Sequence, residues 1–200
     1  MTSAKRPDAS RRNEKSRQAI LTATRELIAE TGYAKVSIEA IAARAGVGKQ
    51  TIYRWWSSKG AVVFDSILDL SGPVDDAVVL PDTGDLETDL KQVLRATVAE
   101  FADAAFEAPI RALTVEIATD PELAALYQRS MATPMDEAKK ARLRSAQEAG
   151  QLSPDADLDL VLSLLNSPVF ERWLMRGGPL DDAFADGVVE AVVRAFSPGP

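Results

Sequence analysis

Between Lys49 and Trp56 the chain reads KQTIYRWW, and these side chains supply a recognition chemistry that forms no covalent bond. Lys49 is a cation on a flexible stem, Gln50 carries an amide that donates and accepts at once, and Thr51 pairs a hydroxyl with a methyl group. Tyr53 and Trp55 add amphipathic rings. The edges of base pairs in a major groove answer this set: an amide can bind adenine bidentately, an ammonium can reach guanine acceptors or phosphate, and the threonine methyl can meet the thymine methyl. The means for breaking bonds are scarcer. The sequence contains no histidine and no cysteine, so it offers no thiolate nucleophile, disulfide or cysteine metal site, and lacks the commonest acid-base residue. Glu100, Glu116 and Glu171 remain as titratable candidates, but they fall on different helices and no spacing gathers them. Neither a catalytic residue nor a metal ligand nor a cofactor is expected.

Delivering the Lys49 to Trp55 side chains requires a short helix braced against another. In SIEAIAARAGVGKQTIYRWWSSK, residues 37–59, Ile41, Ala45, Val47, Ile52 and Trp55 recur at spacings that two steeply crossing helices would bury together, with Trp56 also on the inner side. Trp55 is thus open to both readings, packed or presented. Gly46 falls where the turn needs a backbone without Cβ. Ser37 is placed to cap a helix over 38–45, and a second helix is predicted from Lys49 to about Trp56. Ser37 and the amides it caps form a helix N-terminus suited to phosphate. Upstream, Ile20, Ala23, Thr24, Leu27 and Ile28 form a helical stripe within 14–31 that Gly32 ends. Downstream, Ser58 can cap a fourth helix to about Leu70.

Charge is divided unevenly along the 200 residues. Residues 1–60 hold 12 Lys and Arg against 5 Asp and Glu, a net +7, whereas 61–200 hold 11 against 25, a net −14. A basic first third suits a polyanion, and the acidic remainder should be held away from it. Residues 1–13 are polar and basic and read as a disordered tail, either a solvated terminus or an arm that follows phosphates. No apolar run approaches a membrane span and no signal-like segment follows the early basic residues, so a cytoplasmic protein without a membrane partner is expected.

The run SGPVDDAVVLPDTG, residues 71–84, is the strongest break in the chain. It suggests a helix-turn-helix domain over 14–60, a connecting helix and linker over 61–84, and a helical domain over 85–200. In that last part, a long helix is predicted from Leu86 to about Phe106, with a new start at Pro109. Further helices should begin at Asp120-Pro121 and Thr133-Pro134, each pair read as cap and first helical residue. Phe101, Phe106, Leu113, Tyr127, Trp173 and Met175 are candidates for lining a ligand cavity, against plain core packing. The segment 157–176 is apolar nearly all round, and a last helix follows Pro179. These two helices carry more apolar surface than one chain can cover, so Leu158, Val161, Leu165, Val169, Val188, Val192 and Phe196 are expected at a homodimer seam of four helices. Pro168 should kink the first of the pair or free a carbonyl.

Residues 20–61, and above all GVGKQTIYRWWSSKG, resemble the DNA-binding region of the TetR family of bacterial transcriptional regulators, through Gly46, Val47, Thr51, Tyr53, Trp55, Trp56, Ser58 and Lys59. The resemblance implies an all-α protein with an N-terminal three-helix DNA-binding domain and a helical regulatory and dimerisation domain. It places Lys49, Gln50, Thr51, Tyr53 and Trp55 toward DNA and Lys59 against a phosphate. Gly48, which offers no side chain, and the acidic Glu39 depart from the family pattern. The implied function is a ligand-responsive repressor that binds a pseudo-palindromic double-stranded operator as a homodimer and answers to a small-molecule effector. The alternative is a constitutive DNA-binding or DNA-organising protein whose body only dimerises or binds protein partners.

Overall fold

The computed structural model describes residues 9–71 and 80–198, with the side chains of 9–12, 70–71 and 104–106 left outside the description. Regular structure in these residues is helical, and no strand occurs among them. The helices are α1 (Ala9–Thr31), α2 (Ile38–Ala45), α3 (Lys49–Tyr53), α4 (Lys59–Ser71), α5 (Leu86–Ala102), α6 (Ala104–Thr119), α7 (Pro121–Tyr127), α8 (Thr133–Glu148), α9 (Leu158–Met175) and α10 (Asp182–Phe196). A 3₁₀ turn at Tyr33–Lys35 and a π turn at Gln128–Ala132 complete the set. No helix of the described residues is long and apolar enough to cross a membrane.

The chain packs as two units, Met1–Pro73 with Ala108–Tyr127, and Val74–Glu107 with Gln128–Pro200. This differs from a linear division at residue 84, because α7 and most of α6 pack with the N-terminal helices. The reason lies on α4, whose Val62, Val63 and Phe64 are almost fully buried and present more apolar surface than α1 alone could cover. Leu123 of α7 is buried there too, and Tyr127 meets the Phe64 ring edge-on at 5.9 Å. Within this unit α1 packs against α2 and α4. Ile20, Leu21, Ala23, Thr24 and Leu27 form its buried stripe, and the Thr24 hydroxyl donates to the Ile20 carbonyl.

The second unit is built on α5, α8, α9 and α10. Leu86, Leu90, Leu94 and Val98 of α5 meet Val161, Leu165 and Val169 of α9 and Ala185, Val189 and Val192 of α10 in one core. Ion pairs from Lys91 to Glu190 and from Arg95 to Asp186 tie α5 to α10 at the surface. A buried pair fixes the entry to this unit. Arg142 Nη2 lies 2.7 Å from Asp89 Oδ2, its Nε donates to the Pro81 carbonyl, and the Thr83 hydroxyl and amide donate to the same carboxylate.

Several boundaries depart from expectation. Helix α1 begins at Ala9, inside the stretch read as tail; residues 1–8 lie outside the described ones, as does 72–79 of the expected linker. α3 ends at Tyr53, short of Trp56, with Arg54 as its cap. α5 stops at Ala102, because Asp103 adopts an extended conformation, and Pro109 lies inside α6 instead of opening it. A proline at the sixth residue of a helix removes one i→i−4 bond from its ladder. Asp120 does cap α7, accepting from the Glu122 and Leu123 amides. Thr133 caps nothing: the preceding Ala132 is already helical, so α8 is entered through the π turn. α9 runs through Pro168 as one helix.

Candidate nucleic-acid interface

The braced turn is built as its residue types require. The Ser37 hydroxyl accepts from the Ala40 amide at 3.2 Å and starts α2. Gly46 ends α2 at φ 66°, ψ 33°, a left-handed conformation that costs a glycine little, and its amide bonds back to the Ala42 and Ala43 carbonyls. Ile41 and Ile52 have no exposed surface and Trp56 is buried, while Ala45 and Val47 are half-buried at the rim. The Trp56 indole donates to Asp65 of α4 at 2.9 Å, and Arg17 of α1 holds the same carboxylate oxygen. Three helices thereby lock the inner tryptophan.

On the outer side, Lys49, Gln50, Tyr53 and Trp55 are exposed and Thr51 is half-exposed. Tyr53 and Trp55 retain 55% and 42% of their surface, unusual for aromatic residues in a folded chain. This decides between the two readings of the adjacent tryptophans: Trp56 is core and Trp55 is presented. Ser37 is half-buried, as its capping role requires. Lys59 opens α4, with its ammonium 4.0 Å from the centroid of the Tyr33 ring. Burial pushes its pKa down from the ordinary lysine value.

Two features were not found from sequence. Lys49 Nζ pairs with Glu39 Oε1 at 3.0 Å across the turn, and the bond raises the lysine's pKa and lowers the glutamate's. The two are ten positions apart, outside any helical periodicity, so only the fold brings them together. Arg44 is held by Glu30 at 2.7 Å and Glu26 at 3.3 Å, and Arg54 donates to Asn13, so both arginines already have protein partners.

The candidate pocket residues do not share one environment. Phe101 stacks on Trp173 at 4.5 Å within the second unit. Leu113 is buried and Tyr127 half-buried in the first unit. Met175 is 70% exposed in the last turn of α9, which removes it from any interior, and the Phe106 side chain lies outside the described residues.

The residues expected at the dimer seam divide between the interior of the protomer and its surface. Leu158, Val188 and Phe196 pack partly against the core and Val188 and Val192 also line the open groove between α9 and α10, whereas Val161, Leu165 and Val169 are buried inside the protomer. A side chain with no surface cannot meet a partner. Because α9 is apolar nearly all round, periodicity could not tell its inner stripe from its outer one. The stripe left outside carries Leu160 and Leu164, exposed by 48% and 41%. Beside it, Leu164, Pro168, Ala183, Phe184, Val188 and Ala191 line an open apolar groove of about 440 Å³ between α9 and α10.

The comparisons with known proteins agree with this geometry. Residues 20–65 match the model for bacterial regulatory proteins of the tetR family, and residues 80–192 match that for the tetracyclin repressor-like C-terminal domain. The chain belongs to the TetR family of transcriptional regulators. Among TetR-family relatives, an uncharacterised helix-turn-helix regulator of Bacillus subtilis, YdeS, is 33% identical over 92% of this chain and 90% of its own length. A protein of Mycobacteroides abscessus described as the DNA-binding transcriptional repressor TetR is 30% identical over 91% of this chain and 94% of its own. The crystal structure of the TetR-family regulator SCO0332 superimposes with a TM-score of 0.73 at 33% identity, covering 92% of this chain and 100% of that one. The helix-turn-helix followed by an all-helical domain is therefore the TetR-family architecture, and the chain is a transcriptional regulator of that family.

Proposed function

We propose that this chain is a repressor that binds a pseudo-palindromic operator as a homodimer and releases it on binding a small molecule. The observation that carries the DNA reading is the outer side of α3. Its polar and aromatic side chains are exposed, although the turn beneath them is sealed by Ile41, Ile52 and Trp56. A rigid support with an exposed polar face suits insertion into a major groove. Lys49, Gln50, Thr51, Tyr53 and Trp55 face the bases, and Ser37 and Lys59 lie toward phosphate. Two copies would place their recognition helices in successive major grooves, with half-site centres roughly 34–36 Å apart or a multiple of that. The repressor sense is supported by the Mycobacteroides relative described in those words. Acting on DNA, the protein works in the cytoplasm.

For the effector, the reading is a population shift in which the ligand favours a dimer whose recognition helices are spaced wrongly for the operator. The test is selection from a random duplex pool followed by sequencing. Enrichment of an inverted repeat supports the reading, and recovery of no preferred sequence would overturn it. Repeating the selection with candidate effectors separates a ligand-released repressor from a constitutive DNA-binding protein.

A further inference from the structure

The helix-turn-helix residues 38–54 contain a single acidic side chain, Glu39, beside the three cations Arg44, Lys49 and Arg54. Glu39 occupies the first turn of α2, and its carboxylate holds the ammonium of Lys49, the first residue of α3. Several arginine ion pairs of this unit join one helix to another. Arg17 with Asp65 and Arg25 with Asp69 join α1 to α4 with all four side chains at least three-quarters buried, and Arg44 joins α2 to α1. The Glu39–Lys49 pair differs from the two pairs between α1 and α4. Its side chains are 65% and 54% exposed, and it joins two helices that the buried turn already fixes. It therefore contributes little to stability, yet it occupies a cation on the recognition surface.

We propose that Glu39 is a specificity-determining residue of the DNA interface, an internal competitor that Lys49 leaves only for a better acceptor than a lone phosphate. The inference rests on the DNA-binding reading above. A phosphate met at random must displace a carboxylate of the same sign, and that carboxylate then stays beside the polyanion. At a matched site the exchange is offset by the guanine acceptors that Lys49 gains and by the contacts of Gln50 and Tyr53 around it. Non-specific binding, which is almost entirely electrostatic, is thus weakened more than specific binding.

The experiment is a double-mutant cycle with the full chain: the parent, Glu39→Gln, Lys49→Ala and the combination. Each is titrated against the selected duplex and a scrambled duplex at two salt concentrations. The glutamine variant should bind scrambled DNA about two- to five-fold more tightly, the range expected for freeing one exposed ion-paired cation. Binding to the selected duplex should change less, so the ratio between the two falls. In the Lys49→Ala background the same substitution should give at most a small gain. An equal gain on both duplexes, or a gain undiminished without Lys49, would overturn the proposal while leaving the DNA-binding function intact. Absence of any preferred duplex for the parent would instead defeat the reading on which it rests.

Discussion

At the scale of the residue, Gln50 and Lys59 should fail in different ways. Gln50 is exposed on α3 and its amide can read a base edge, so Gln50→Ala should relax preference at one operator position by about 1–3 kcal/mol. Lys59 lies against Tyr33 at the head of α4, and Lys59→Ala should weaken binding evenly across sequences and reduce the salt slope by about one. Competition binding against operators altered one position at a time distinguishes the two, and a position-specific loss for Lys59→Ala would contradict its assignment to phosphate. The inner and outer residues of this site were legible because a turn glycine, a serine cap and a branched-apolar pattern are local signals. The Glu39–Lys49 pair and the seat of Lys59 on Tyr33 were not, since each joins residues that only the crossing of helices brings together.

At the scale of the element, two contacts carry testable energy. Asp89 is almost fully buried; burial alone would raise its pKa, but bonds from Arg142 and Thr83 outweigh it and hold the carboxyl below its ordinary value of 3.8. The unfolded chain then binds the proton more readily than the folded one. The stabilisation is complete above 3.8 and is lost as pH falls through the lower folded value. Asp89→Ala leaves Arg142 buried without its counter-charge and should cost about 3–5 kcal/mol in denaturant unfolding at neutral pH. It should also remove that part of the acid sensitivity. Gly60, the second residue of α4, is approached so closely that an added Cβ would come within 2.6 Å of Leu123 and 2.9 Å of the Glu116 carboxyl carbon. The half-buried Glu116 accepts from the Gly60 amide, and burial raises its pKa. Gly60→Ala should therefore destabilise the fold by about 1–3 kcal/mol through overpacking, and a variant as stable as the parent would show that α7 is free to move aside. Helix composition predicted α4 and α7 separately, through Ser58 and Asp120-Pro121. It could not predict that they pack together, because the apolar side chains of either helix would suit several partners.

At the scale of the molecule, the question is which apolar surface a second copy covers. The sequence showed a surplus of apolar residues on the last two helices and assigned it to seven of them; the protomer buries Val161, Leu165 and Val169 for itself, while Val188 and Val192 border the groove. Outside that core lies the groove beside Leu164, floored on α10 by Ala183, Gly187, Ala191 and Ala195, four small residues spaced by four positions along one stripe. Small residues on a helix face let another helix approach closely, and an added Cβ at Gly187 would meet nothing within 4 Å. These facts separate folding from assembly. Gly187→Leu places a good helix former where the protomer has open space, so each chain should keep or gain stability, by up to about 1 kcal/mol from helix propensity. If two copies join across this stripe, the same side chain holds their helices apart. Sedimentation should then show a folded monomer, and operator affinity should fall steeply, because each recognition helix loses the effective concentration its partner supplied. A variant that remains dimeric and binds as the parent does would place the seam elsewhere and leave the groove open to another ligand.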